Sequence, residues 1–412
     1  MPRSYVKFLP SELLPTFWTL DELQLLVGTT LAPAVTSKLK SLNREYDLLC
    51  DSAAQTRWFG VVRDHISFDD WLQVDAMYRS RALDFPDIGH CMIPCIDLAN
   101  HQSGEGTIAV YEKDRDGNAT LLLREGKQVK QGDEVTITYG DEKGACEMIF
   151  SYGFLEPNME TAETLFLSLS IPPDDSYRSA KMRVADCAPG VKLIDAGDGD
   201  IDWKGDFVWL LCVNAEDGLR FELARTVDGE GEEIQAFMQG QELTGGAGQL
   251  YALLGRSDLW DVYRLRAVTV LQQRVFEQLQ VLFGTQEDVE ATARGQGTDV
   301  REPLFEQVML LRRGEFALLN RAYEDFEKQV SFHPPSTLLC LRTRLWNTRS
   351  RETRLWQINL QNVSIRVRRT GPFRQPGRRT LRGVKYMYRY LVPGLTQLGL
   401  FRRNSSSPKA RS

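Results

Sequence analysis

Three short segments constrain this chain most: Asp97-Leu98-Ala99-Asn100-His101, then Gly132-Asp133-Glu134-Val135-Thr136-Ile137-Thr138-Tyr139-Gly140, then Phe150-Ser151-Tyr152-Gly153-Phe154-Leu155-Glu156-Pro157. Their chemistry belongs to a cleft. Asn100 offers two donors and an acceptor, and neutral His101 offers one of each, so side by side in a loop they can clamp a polar cofactor. Tyr139 ends a β-rich run and Tyr152 precedes Gly153, where short turns expose side chains. A phenol supplies both an apolar wall and a hydroxyl. Singly these residues are ordinary, because the chain holds thirteen tyrosines and an isolated Asn-His pair is most often a loop turn. Three such pieces in this order, with Asp97 ahead of the pair, favour a site.

Around them the pattern alternates between helix and short strand. Residues 11–80 read as helical: Asp21 to Leu26 ended by Gly28, Val35 to Cys50 with apolar positions at helical spacing, then Phe68 to Tyr78. From Cys91 to Tyr139 four strands are expected: Cys91–Ile96, Thr107–Tyr111, Ala119–Leu123 and Val135–Tyr139. Asp116-Gly117 supplies a hairpin turn between the second and third. Asp141 is expected to cap a helix running through Ser151 and closed near Gly153. Two later stripes at helical spacing read as core faces: Val262, Leu265, Val268, Leu271, Val275, Leu279 and Leu282, then Leu304, Val308, Leu311, Leu318, Ala322 and Phe326. The polar, glycine-containing stretch Gly284–Thr298 between them reads as a mobile loop.

Composition removes several function classes. With 412 residues, 42% hydrophobic and 26% charged, the chain can bury a core and fill two or three domains. No stretch reaches membrane-spanning length and the first residues lack a secretory apolar run, so a cytoplasmic or nuclear protein is expected. Seven scattered cysteines point to reduced, mostly buried thiols, and four histidines, at 65, 90, 101 and 333, leave almost no material for a histidine-based metal site. The net charge of −6 hides an asymmetry. Residues 335–412 carry eighteen Lys and Arg against one acid, Glu352, a net of +17 that leaves −23 on residues 1–334. An acidic body favours encounter with basic proteins. The basic tail reads either as an arm for nucleic acid or ribosomes or, preferred here, as a disordered segment foreign to the fold, such as a translated intron or shifted frame.

The three segments resemble the carboxy-terminal half of the SET-domain protein methyltransferases, in the branch typified by the Rubisco large-subunit lysine methyltransferase. The likeness is close over about residues 60–160 and looser over 1–60 and 160–333, through helix pattern and phrases such as Tyr46-Asp47-Leu48-Leu49. It implies an α+β fold of small sheets with inserted helices, followed by a mainly helical domain. Residues 1–85 would hold the helical insert and the amino-terminal part, 86–160 the SET core, 161–334 a helical domain that helps hold a protein substrate, and 335–412 the tail.

The implied reaction moves a methyl group from S-adenosyl-L-methionine to a lysine of an intracellular protein, by in-line displacement. Alignment and drying then matter more than strong acids or bases. The resemblance makes Tyr139 and Tyr152 catalytic and puts Arg81, Asn100, His101 and Tyr152 on the cofactor. Tyr78-Arg79-Ser80-Arg81-Ala82-Leu83 is similar to the family's Arg-Ser-Arg-Ala-Phe phrase, whose second arginine reaches the cofactor carboxylate. Leu83 departs from it. Arg79 could equally be an exposed helix-end arginine. The implied partner is a protein substrate, ribosomal or another basic protein; no metal or membrane is called for, and nucleic acid only through the tail. The family's opening strand and Gly-x-Gly turn is not found, since Gly28, Gly60 and Gly89 stand isolated. A truncated or catalytically degenerate scaffold is therefore one alternative, and a protein histidine methyltransferase is another.

Overall fold

The computed structural model describes residues 3–10, 13–140, 143–157, 159, 161–197, 200–225, 232–295 and 299–332, all within one unit, Met1–Asn347. The basic tail, His333, Cys340 and the cap expected at Asp141 lie outside these residues. The helices are α1 (Arg3–Phe8), α2 (Leu20–Leu25), α3 (Leu31–Ala53), α4 (Phe59–His65), α5 (Phe68–Arg81), α6 (Ala145–Tyr152), α7 (Arg178–Val184), α8 (Phe207–Cys212), α9 (Gly246–Leu254), α10 (Trp260–Gly284), α11 (Gln286–Arg294) and α12 (Glu302–Phe332). The strands form four small antiparallel sheets. Two are hairpins, β1 (Leu83–Phe85) with β2 (Gly89–Cys91) and β3 (Ala109–Lys113) with β4 (Ala119–Leu123); two have three strands, β5 (Thr164–Ser168), β6 (Gly190–Asp195), β7 (Ile201–Lys204) and β8 (Leu219–Arg225), β9 (Glu232–Met238), β10 (Gln241–Glu242). The α+β class expected from the sequence is the one observed.

Apolar periodicity decides which faces pack. Every residue of both predicted stripes is buried, and the stripes bring α10 and α12 together in the main core. The same core takes in Leu165 and Leu167 of β5, Val191 and Leu193 of β6, and Met148 and Ile149 of α6. Among the described residues, a second, much smaller core holds Leu83, Ile96, Ala109 and Ile137, lined by Ile93, Ala99, Tyr111, Val135 and Tyr139. The three segments singled out in the sequence run along the border of the two cores.

Charged pairs tie the amino-terminal helices to the carboxy-terminal ones. Thr19 and Glu22 form a capping box at α2, and the Glu22 carboxylate also accepts from Arg301 Nε and Nη2, each at 2.7 Å. Burial alone would raise the Glu22 carboxyl, but the Arg301 and Thr19 donors hold it below the usual glutamate range. Glu315 of α12 is fully buried at the start of α3, where it accepts from the Thr30 amide at 3.0 Å and the Thr30 hydroxyl at 2.5 Å. Burial outweighs those bonds and the charge of Arg312, and pushes Glu315 up to about 7.

The structure corrects several local expectations. Val135–Tyr139 is no strand: Ile137 alone makes a parallel bridge, to His101. Its neighbour Thr136 serves a different element, its carbonyl accepting from the Ile108 and Ala109 amides. The strand expected over Cys91–Ile96 stops at Cys91, because Pro94 has no amide to donate and Cys95 turns the chain with φ +78°. Gly284–Thr298 is not one loop. It carries α11, held by acidic residues Glu287 and Asp288 in its first turn and by buried Val289. The thiols are also less buried than expected, with Cys212 buried, Cys95 exposed and Cys50, Cys91, Cys146 and Cys187 between. Among the described residues there is no cluster of metal-ligating side chains, and no helix is long and apolar enough to cross a membrane.

Candidate active site

The Asn-His loop and the tyrosine segments meet through backbone first. The Ile137 amide donates to the Asn100 carbonyl at 2.9 Å and the Gln102 amide donates to the Ile137 carbonyl at 3.0 Å, so the loop and the run before Tyr139 lie side by side. The Tyr139 amide then donates to His101 Nδ1 at 3.0 Å. That bond makes Nδ1 the acceptor and leaves the ring proton of neutral His101 on Nε2, which points toward Glu156 at 3.6 Å. The His101 side chain is only 4% exposed, so it is no surface histidine.

Ring packing completes the cluster. His101 stacks on Tyr139 at a centroid distance of 5.1 Å, and Tyr139 meets Tyr152 at 4.6 Å. The Tyr139 hydroxyl donates to the Ala99 carbonyl at 2.9 Å, which fixes its ring over the loop. Tyr152 is the last residue of α6, and Gly153 closes the helix with φ +82°. A β-carbon at Gly153 would also stand 3.2 Å from the Leu13 carbonyl oxygen, so a side chain there would both strain the backbone and push α6 away. Burial raises the Tyr152 phenol above its usual value, against the opposing charge of Lys143, so it stays protonated at neutral pH. The Lys143 ammonium lies 5.8 Å over the Tyr152 ring and is bound to Glu147 at 2.7 Å.

The remaining predicted residues surround this pair unevenly. Arg81, 9% exposed at the end of α5, donates to the Asp97 carbonyl at 3.0 Å. Asp97 is buried as well; one carboxylate oxygen takes the Tyr5 hydroxyl and the other, Oδ1, has no hydrogen-bond partner. Burial, then the bond to Asp97 and its charge, push the Tyr5 phenol well above its normal range. Asn100 is exposed and its amide donates to Glu134 at 2.5 Å. Asn100 and His101 are thus adjacent in sequence but serve different walls, His101 facing the tyrosines and Asn100 the solvent side. Arg79 is not an exposed helix end. Its guanidinium packs 4.5 Å from the Phe150 ring centroid, donates to the Phe150 carbonyl at 2.5 Å and pairs with Asp75 at 2.9 Å, bracing α6 against α5.

Five further residues shape the site and were not assigned from sequence. Glu156 lies within the third segment and takes the Ser103 amide at 2.8 Å and hydroxyl at 2.5 Å, clamping the loop after His101. Lys143, just ahead of α6, and Glu147, in its first turn, are four apart and pair at 2.7 Å. Tyr111, in the small core, feels both Asp84 and Tyr152, after burial, in its raised phenol. Tyr5 acts from 92 residues away, and nothing local signals that contact.

No family model matches the chain. SET domain-containing protein 8 of Schizosaccharomyces pombe is 30% identical over 267 residues, covering 63% of this chain and 58% of its own length. The Rubisco large-subunit N-methyltransferase of Pisum sativum chloroplasts is 28% identical over 198 residues, covering 45% of this chain and 39% of that enzyme. The chain therefore spans just over half of the first of these curated relatives and less of the second. Among solved structures, the SET domain of the Rubisco enzyme bound to lysine and AdoHcy matches with TM-score 0.53 at 21% identity, covering 79% of this chain and 70% of that one. The chain is similar in sequence to these two proteins over part of their length, and its fold is that of the Rubisco enzyme's SET domain.

Proposed function

We propose that this chain is an S-adenosylmethionine-dependent methyltransferase acting on a lysine side chain of a basic partner protein in the cytoplasm or nucleus. The observation that carries the reading is the convergence of Tyr139, Tyr152 and His101, with ring centroids 4.6 and 5.1 Å apart, beside the buried Arg81–Asp97 pair. The relative named as a Rubisco large-subunit N-methyltransferase and the solved SET domain bound to lysine and AdoHcy support the reaction class. The charge of −23 on residues 1–334 supports a basic partner.

The residues present fit the cofactor's polar end. Asp97 Oδ1 is a buried acceptor lacking a partner, a costly state that a bound ammonium would relieve. Arg81, Asn100 and His101 would hold the group, with Tyr152 on the side facing the channel. S-adenosylmethionine supplies an electrophilic methyl on a cationic sulfur.

The rest falls to the chain itself. Tyr139 and Tyr152 wall a channel with ring faces, excluding water from the approach of the amine. Their hydroxyls orient the incoming nitrogen, and Tyr152, protonated because buried, acts as an orienting group without serving as base. Burial beside positive charge lowers the substrate lysine's pKa, so that the neutral, nucleophilic amine is populated and its proton leaves to water.

Calorimetric titration of the full chain with S-adenosylmethionine is expected to give saturable heat and a raised melting temperature. No heat and no shift at millimolar ligand would leave a non-catalytic scaffold. Tyr139→Phe is expected to lower turnover on a basic protein substrate about a hundredfold with cofactor affinity nearly unchanged. Unaltered turnover would remove Tyr139 from its role.

A further inference from the structure

A second aromatic assembly stands apart from the tyrosine site. Trp203 of β7, Trp209 of α8, Tyr251 of α9 and Trp260 at the start of α10 converge on one cavity of about 330 Å³. Trp209 is the hub: its ring lies 5.6 Å from Trp203, 5.1 Å from Tyr251 and 5.2 Å from Trp260, while Tyr251 and Trp260 meet edge to face at 5.7 Å. A group of rings buried for stability alone would close on itself, since protein interiors are packed nearly without voids. This group stays open. Trp209 is 5% exposed at the floor and Tyr251 is 47% exposed at the mouth.

The charges at the cavity decide what it can take. Arg264, one turn beyond Trp260 on α10, lines the wall, is exposed, and makes no hydrogen bond or ion pair with any described residue. The other polar lining group, Gln329 of α12, already donates to Asp325 at 2.8 Å. A cationic side chain would find four attractive ring faces but also an uncompensated guanidinium beside them, whereas a carboxylate would find a fork of donors. The volume suits one large ring plus the backbone that bears it, at the small end of ligand pockets of about 300 to 1,000 Å³.

We propose that this cavity is a docking pocket for a protein partner, taking one aromatic side chain next to a carboxylate. The ring packs against Trp209 and Trp260, and the carboxylate pairs with Arg264. A buried aromatic anchor with an adjacent charge-assisted pair is the usual concentration of binding energy in a protein interface. The pocket does not depend on the methyl-transfer reading and survives its failure.

Two blocked dipeptides, acetyl-Trp-Glu-amide and acetyl-Trp-Lys-amide, test it when titrated into the full chain and followed by NMR line broadening of the peptide. The Trp-Glu peptide is expected to bind at least about fivefold tighter than Trp-Lys, the increment of one charge-assisted pair. Arg264→Glu, a change on an exposed helix position, is expected to reverse that order while leaving the melting temperature in place. Trp260→Ala is expected to abolish binding of both, and Trp260→Phe to restore most of it if the ring itself is what matters. Equal binding of the two peptides, tighter Trp-Lys binding, or indifference to Arg264→Glu would overturn the proposal. So would tighter binding of AMP displaced from the same rings, which would make the pocket a nucleotide site.

Discussion

The two cores of this molecule are built on different terms. The large one, around α10 and α12, buries two complete helical stripes and needs little else. The small one has four buried residues, and the strands beside it leave Val110, Leu121, Leu122 and Leu123 exposed. The site lies where the small core meets the large one. Its geometry therefore rests on specific bonds: the Ile137 bridge, the Tyr139 amide on His101, Glu156 on Ser103, and Arg79 on Phe150. Hydrophobic burial supplies stability at one end, and hydrogen-bond geometry supplies placement at the other.

Substitutions in the two regions should separate these roles. Leu271→Ala, in the middle of the α10 stripe, is expected to cost about 2–5 kcal/mol. In urea titration followed by both tyrosine fluorescence and circular dichroism it should move one common transition; two transitions would break the comparison by making the small core an independent unit. The next largest effect concerns pH. Glu315 has a folded pKa of about 7 against an ordinary value of 4.5, so the unfolded chain releases that proton first and stability falls as pH rises between those values, by about 3 kcal/mol, then levels. Glu315→Gln should flatten that slope in melting temperature measured from pH 4.5 to 8, and an unchanged slope would reassign it.

A smaller effect is expected in the small core. Ile137→Val should cost about 0.5–1.5 kcal/mol in global stability. Amide exchange at Ile108, Ala109 and Tyr139 should rise while the amides of α10 and α12 stay protected. Uniform loss of protection would mean that the two cores open together. The least perturbing probe is thiol labelling of the folded chain. Burial pushes Cys146 and Cys212 up to about 12, so exposed Cys95 should react first and those two last.

Legibility in the sequence follows the same division. The α10 and α12 stripes were readable because one long helix repeats its period many times against one core. Tyr139, Tyr152 and His101 were readable as a group only through the order of their motifs, and the rings do meet. Val135–Tyr139 looked like a strand because its residues alternate, yet its partner is a loop that offers a single bridging position. Cys91–Ile96 failed at Pro94 and Cys95, where backbone chemistry overrides apolar content. α11 was hidden by its polar composition, since one buried residue, Val289, carries its packing. Arg79 and Tyr5 bind partners 71 and 92 positions away, contacts that no local pattern encodes.

The bridge between His101 and Ile137 has a consequence for how this protein comes into being. Tyr139 and His101 are 38 positions apart and joined by one amide, so the intervening hairpin must be threaded into place before either ring is held. Closing that loop costs chain entropy, which the bonds between the two segments then offset. On a ribosome the Asn-His loop emerges ahead of its counterpart and waits for it, so His101 finds its backbone partner only once the Tyr139 segment is out.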